Sequence, residues 1–131
     1  MNTKQINIQV LALLGDAIFS LYVREELIKK GINNPNVLQK KSIDYVSAKS
    51  QARILEELIN NNILTEYEID IVKRGRNNKK ENHPKNTDII TYKLSTGFEA
   101  LLGDLYINNK GRLQEILKTI EVEEWKYMVR M

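Results

Sequence analysis

The chain of 131 residues is 42% hydrophobic and 28% charged, carries a formal net charge of +3 and contains no cysteine. That balance describes one globular domain over residues 1–131 and excludes a disordered chain, a disulfide framework and a thiolate metal site. No apolar run approaches the roughly 20 residues of a membrane span, and the N-terminus "MNTKQINIQV" has no apolar core or cleavage site of a signal peptide, so a cytoplasmic protein without a membrane partner is expected.

The elements predicted along the chain are helical nearly throughout. Ile6, Val10, Leu13, Leu14, Ala17 and Leu21 fall at three- and four-residue spacings, which predicts a first long helix with those residues inward. It stops at Gly31, with Lys29 and Lys30 complementing the dipole of its last turn. Asn34-Pro35 starts a short second helix that ends near Tyr45. Ser47 caps a third, with Ile54, Leu55 and Leu58 inward, and "NNN" at 60–62 ends it. Thr65 and Glu68 form a capping box ahead of a fourth. Gly75 is expected to open a basic loop that runs to about Asp88. A second long helix follows over Ile89 to Asn108, then a turn "NNKG" at 108–111, then a last helix with Leu113, Ile116, Leu117 and Ile120. No strand pair is visible, and a lone strand could not satisfy its backbone. The fold class expected is all-α.

The string "ALLGD" occurs at 12–16 and again at 100–104, each time inside an apolar run. Asp16 shares its helical face with Ala12, Leu13, Phe19 and Ser20, where an unpaired carboxylate is costly to bury. It must reach water, meet a cation or cap a helix starting at Gly15-Asp16, and spacing leaves capping and chemistry equally open. Glu99 follows Thr96 by three residues and shares its face. Asp104 lies five residues past Glu99, about 140° further round the helix, and is expected at the surface or in a local contact. The acids able to cooperate are therefore Asp16 and Glu99. Two carboxylates from different helices suit a hard cation such as Mg²⁺, which binds oxygen, keeps several waters and often shares its shell with phosphate.

Residues 73–85, "KRGRNNKKENHPK", set Lys73, Arg74, Arg76, Lys79, Lys80 and Lys85 against Glu81 alone. The segment's local charge is +5, which leaves −2 for the rest of a chain of net charge +3. Such a segment is a solvated loop or the seat of a polyanion. The lone His83 has no neighbouring ligand pattern and reads as loop chemistry. Tyr92, Phe98 and Tyr106 fit core or dimer packing, and Trp125 a packing anchor.

"LALLGDAIFSLYVREELI" resembles the signature helix of the ribonuclease III catalytic domain, and "STGFEALLGDLYI" resembles that domain's second acidic helix. "YVSAKSQARIL" and "IVKRGRN…KNTDIITYKLSTGFEALLG" are similar to the family's short bacterial branch, the Mini-ribonucleases III. The match covers nearly the whole chain in order. The resemblance implies the all-helical ribonuclease III endonuclease fold and a symmetric homodimer. It implies cleavage of double-stranded RNA with Mg²⁺, for which Mn²⁺ can substitute, and no appended RNA-binding domain. The branch's role implies maturation of precursor large-subunit (23S) ribosomal RNA, aided by a large-subunit ribosomal protein. Asp16 falls on the signature aspartate and Glu99 on the second motif's glutamate, which makes both catalytic residues and metal ligands. Lys49 and Gln51 match a branch motif and are expected to touch RNA, together with Arg74, Arg76, Lys79, Lys80 and Lys85.

The larger enzymes carry further acids where this chain has Gln9, Ala12 and Thr96. One metal per site is therefore expected. The sparse acid set also admits an alternative, a non-catalytic RNA-binding or ribosome-assembly factor on the same fold, and beyond it a generic helical interaction module with no affinity for RNA.

Overall fold

The computed structural model describes residues 1–78 and 88–120. Among them there is no strand. A short 3-10 turn, Thr3–Gln5, precedes six α-helices: α1 Ile8–Lys29, α2 Pro35–Val46, α3 Ala48–Asn60, α4 Glu66–Arg76, α5 Ile89–Asn108 and α6 Lys110–Ile120. No described helix is long and apolar enough to cross a membrane.

Side-chain caps fix the starts. The Asn7 side chain accepts from the Gln9 amide at 2.7 Å, Asn34 from Asn36 and Val37, Ser47 from Ser50, and Asp88 from Thr91. Each satisfies an amide that the helix itself leaves without an acceptor. Thr65 and Glu68 bond reciprocally, as their spacing predicts. Gly31 at φ +100° ends α1, and Asn62 at φ +55° follows α3; both are left-handed positions that glycine or asparagine tolerates. Two boundaries differ from the sequence reading. Gly75 lies inside α4, which continues to Arg76, and a single residue, Asn109, separates α5 from α6.

α5 is the axis of the fold, and α1, α3, α4 and α6 all pack on it. Every residue from Ser95 to Leu105 is buried except Glu99. A helix covered on all sides needs no amphipathic stripe, which is why this one is apolar around its whole girth. Phe19 of α1 meets Phe98 of α5 edge to face, with ring centroids 5.2 Å apart.

α1 buries Leu11, Ala12, Gly15, Phe19, Val23, Glu26 and Leu27. The inward stripe predicted from spacing is therefore the wrong one. Val10, Leu13, Ala17 and Leu21 face away from the core, and Leu13 is 72% exposed. The helix is apolar on two faces, and periodicity alone cannot choose between them.

Asp104 is not at the surface; it is fully buried. The Tyr67 hydroxyl lies 3.1 and 2.9 Å from its two oxygens, and the Asn108 amide 3.4 Å from one of them. Asn108 also donates to Thr3 at 2.7 Å, which ties the N-terminal turn to α5. A second buried polar link joins α4 to α6. Arg112 donates to both oxygens of Glu68, at 2.7 and 2.9 Å, and to the Ile63 carbonyl at 2.6 Å. Burial alone would raise the Glu68 carboxyl. The guanidinium and the Thr65 amide outweigh that effect and hold it below the usual glutamate range.

Candidate active site

Two glycines bring α1 and α5 into backbone contact. A Cβ on residue 15 would lie 2.6 Å from the carbonyl carbon of Glu99 and closer still to its oxygen. A Cβ on residue 103 would meet the backbone of Leu11 in the same way. The two contacts run antiparallel, Gly15 against Glu99 and Leu11 against Gly103. Each "LLGD" glycine is thus the place where one helix admits the other. The repeat is a packing device, and the aspartate after each glycine takes the environment its own helix gives it: Asp16 is exposed, Asp104 buried.

Asp16 sits one residue from the Gly15–Glu99 contact, so the two carboxylates leave their helices at the same level of the crossing. α1 passes through Gly15 and Asp16 without a break, so Asp16 is not an N-cap and capping is removed as its explanation. Glu99 is half-buried. Its Oε2 accepts a hydrogen bond from Nε2 of Gln51 at 3.3 Å, and the same nitrogen donates to the Val46 carbonyl at 3.0 Å.

The positions that carry acids in the larger enzymes add no ligand here. Ala12 is buried. The Thr96 hydroxyl, also buried, donates to the Tyr92 carbonyl at 3.0 Å. Among the described residues no group of three or more His, Cys, Asp or Glu side chains is placed to hold a metal ion. Asp16 and Glu99 offer carboxylate oxygens, hard ligands of the kind Mg²⁺ takes when water and substrate phosphate complete its shell. On donor chemistry, the residues fit the metal that the sequence reading implied.

A second glycine contact joins α4 to α5 on another face of α5. A Cβ on residue 75 would lie 2.8 Å from the Cα of Gly97 and 3.1 Å from the Thr96 carbonyl oxygen. α4 therefore meets α5 two residues from Glu99, and Arg74 and Arg76 flank the contact. Arg74 is exposed; Arg76 is half-buried and donates to Asn77 at 3.4 Å. Lys49 is exposed in the first turn of α3. Lys79, Lys80, Lys85 and His83 lie outside the described residues, as does Trp125.

Gln51 departs from its expected role. It is 2% exposed, and its Nε2 is turned inward on Glu99 and the Val46 carbonyl. One signal in the sequence marks this: Gln51 precedes Ile54, Leu55 and Leu58 by three, four and seven residues, the spacing of their own buried face.

Comparison with known proteins identifies the fold. Residues 9–110 match the ribonuclease III domain family. The Mini-ribonuclease 3 of Brevibacillus brevis is 50% identical over 110 residues, covering 83% of this chain and 81% of that one. The Mini-ribonuclease 3 of Streptococcus pneumoniae is 45% identical over 113 residues, covering 86% and 88%. A crystal structure of a Fusobacterium nucleatum protein superposes with a TM-score of 0.79 at 31% identity, covering 92% of this chain and 96% of the other. The chain belongs to the ribonuclease III family, in its Mini-ribonuclease 3 branch.

Proposed function

We propose that this chain is a divalent-metal-dependent endoribonuclease that cuts double-stranded RNA as a homodimer and matures precursor 23S ribosomal RNA. The observation that carries the reading is the level shared by Asp16 and Glu99 at the glycine crossing, with Glu99 the single unburied residue between Ser95 and Leu105. Asp16 and Glu99 hold the ion, Mg²⁺ or Mn²⁺ in its stead. When bound, it supplies Lewis acidity, which neutralises charge on the scissile phosphate and makes water a competent nucleophile.

The remaining work falls to the chain. Arg74, Arg76 and Lys49, with Lys79, Lys80 and Lys85 of the basic segment, bind phosphates along the duplex and set its register. A-form RNA is recognised by shape, phosphates and 2′-hydroxyls, so sequence preference is modest. Water attacks phosphorus in line, leaving 5′-phosphate and 3′-hydroxyl ends. The exposed apolar stripe of α1, Val10, Leu13, Ala17 and Leu21, supports a twofold dimer that covers it. Two sites related by that axis address the two strands. A large-subunit ribosomal protein presents the precursor.

The test is incubation of the protein with duplex RNA and Mg²⁺. Cleavage that is abolished by Asp16→Asn and by Glu99→Gln, with duplex binding retained, is the result expected. Binding without cleavage by the wild type would instead make the chain a non-catalytic RNA-binding factor.

A further inference from the structure

Gln51 is 2% exposed and belongs to the buried face of α3, where its neighbours by helical spacing are Ile54, Leu55 and Leu58. Its amide is oriented by what surrounds it. Nε2 has two acceptors, the Glu99 carboxylate at 3.3 Å and the Val46 carbonyl at 3.0 Å. Exchanging nitrogen for oxygen would set a third acceptor against those two, so only one orientation is compatible with both contacts. In that orientation Oε1 is buried without a partner, as is the neighbouring Ser50 Oγ. A buried acceptor with no donor is costly. A side chain that served packing alone would be apolar at this position. The amide's gains are its bond to the Val46 carbonyl, at the end of α2, and its contact with Glu99.

Resting on the two-carboxylate reading above, we infer that Gln51 is a positioning residue: it fixes the Glu99 carboxylate for divalent-ion binding with a neutral donor. Lysine or arginine in its place would cancel the charge that attracts the cation. A second carboxylate would repel Glu99 whenever the ion is absent. An amide donates to Oε2 without adding a charge of its own beside the carboxylate. The need for such support is acute where the Thr96 hydroxyl is committed to Tyr92 and no cluster of three potential ligands exists among the described residues. With two protein ligands, affinity depends on both being in place before the ion arrives.

The test measures Mn²⁺ binding to the RNA-free protein by electron paramagnetic resonance, alongside thermal unfolding and duplex binding. Gln51→Met keeps the length and removes the donor; Gln51→Asn keeps an amide but falls one methylene short of Glu99. Both are expected to raise the Mn²⁺ dissociation constant about tenfold or more, in the range usual for groups that support a metal ligand. Duplex affinity should stay within twofold of wild type, and raised Mg²⁺ should restore cleavage. Should Gln51→Met fail to fold, Gln51→Asn supplies the same reading. Wild-type Mn²⁺ affinity in a folded variant of either kind, with Asp16→Asn and Glu99→Gln binding weakly, overturns the role of Gln51 and leaves the acid pair standing. Unchanged affinity in Asp16→Asn and Glu99→Gln as well removes the pair, and the inference with it.

Discussion

The backbone of Gly15 rests on the backbone of Glu99, so close that a Cβ at position 15 would lie 2.6 Å from the Glu99 carbonyl carbon. This contact sets the separation of α1 and α5 and, one residue on, the height of Asp16 relative to Glu99. The obstructing atoms, the Glu99 carbonyl oxygen and carbon and its Cα, are all backbone, so none can rotate away, and any side chain at 15 must push the helices apart.

Gly15→Ala is therefore expected to cost about 2 kcal/mol or more in urea unfolding, in the range of overpacked cores, and to lose activity beyond what unfolding explains. Gly111→Ala is the control. Gly111 is exposed in the first turn of α6, and its added Cβ would meet nothing nearer than Asn109 Oδ1 at 3.6 Å. Alanine's helix propensity should there raise stability by roughly 0.5–1 kcal/mol.

The aspartates of the two "LLGD" strings should separate cleanly. Asp104→Asn and Tyr67→Phe disturb a buried network and are expected to lower stability by about 1–3 kcal/mol while the folded fraction keeps its wild-type cleavage rate. Asp16→Asn should do the reverse, with unfolding unchanged and cleavage lost. Melting curves and single-turnover rates on the same preparations decide it.

How far these sites are legible in the sequence depends on where the partners come from. The caps at Asn34, Ser47, Thr65 and Asp88 act within a few residues, and the helix starts they mark are readable from the sequence. The inward face of α1 is not readable, because Val10, Leu13 and Leu21 are as apolar as Leu11, Phe19 and Val23. Asp104 reads as a surface or local-contact residue; the contact with Asn108 is local, but the burial and the Tyr67 partner come from another helix. Gly75 looks like a loop opener because its actual service, admitting Gly97, is tertiary. The acid pair is legible as residue types and by resemblance, but the glycine contact that joins the two helices belongs to the fold.

Acid should weaken the fold through Glu68. Its carboxyl is held below the usual range, burial being outweighed by the Arg112 guanidinium and the Thr65 amide. A depressed folded-state pKa contributes stability that is complete above the unfolded value, about 4.3, and is lost as pH falls through the lower folded value. The melting temperature of wild type should fall across that window. Glu68→Gln should be less stable at neutral pH, by on the order of 2 kcal/mol, and its melting temperature should depend less on pH there.

The exposed face of α1 predicts a self-association that a charge will break. Leu13→Glu and Leu21→Lys lie at positions 72% and 66% exposed, so neither substitution disturbs the core of the protomer. Sedimentation equilibrium should find wild type dimeric and both variants monomeric, with unchanged helical circular dichroism.

The most direct measurement is anomalous diffraction from crystals of the wild-type chain soaked in Mn²⁺. A single peak in each protomer, bound by one carboxylate from Asp16 and one from Glu99, is the predicted result. A peak held elsewhere, or one that touches only one of the two side chains, would contradict the account.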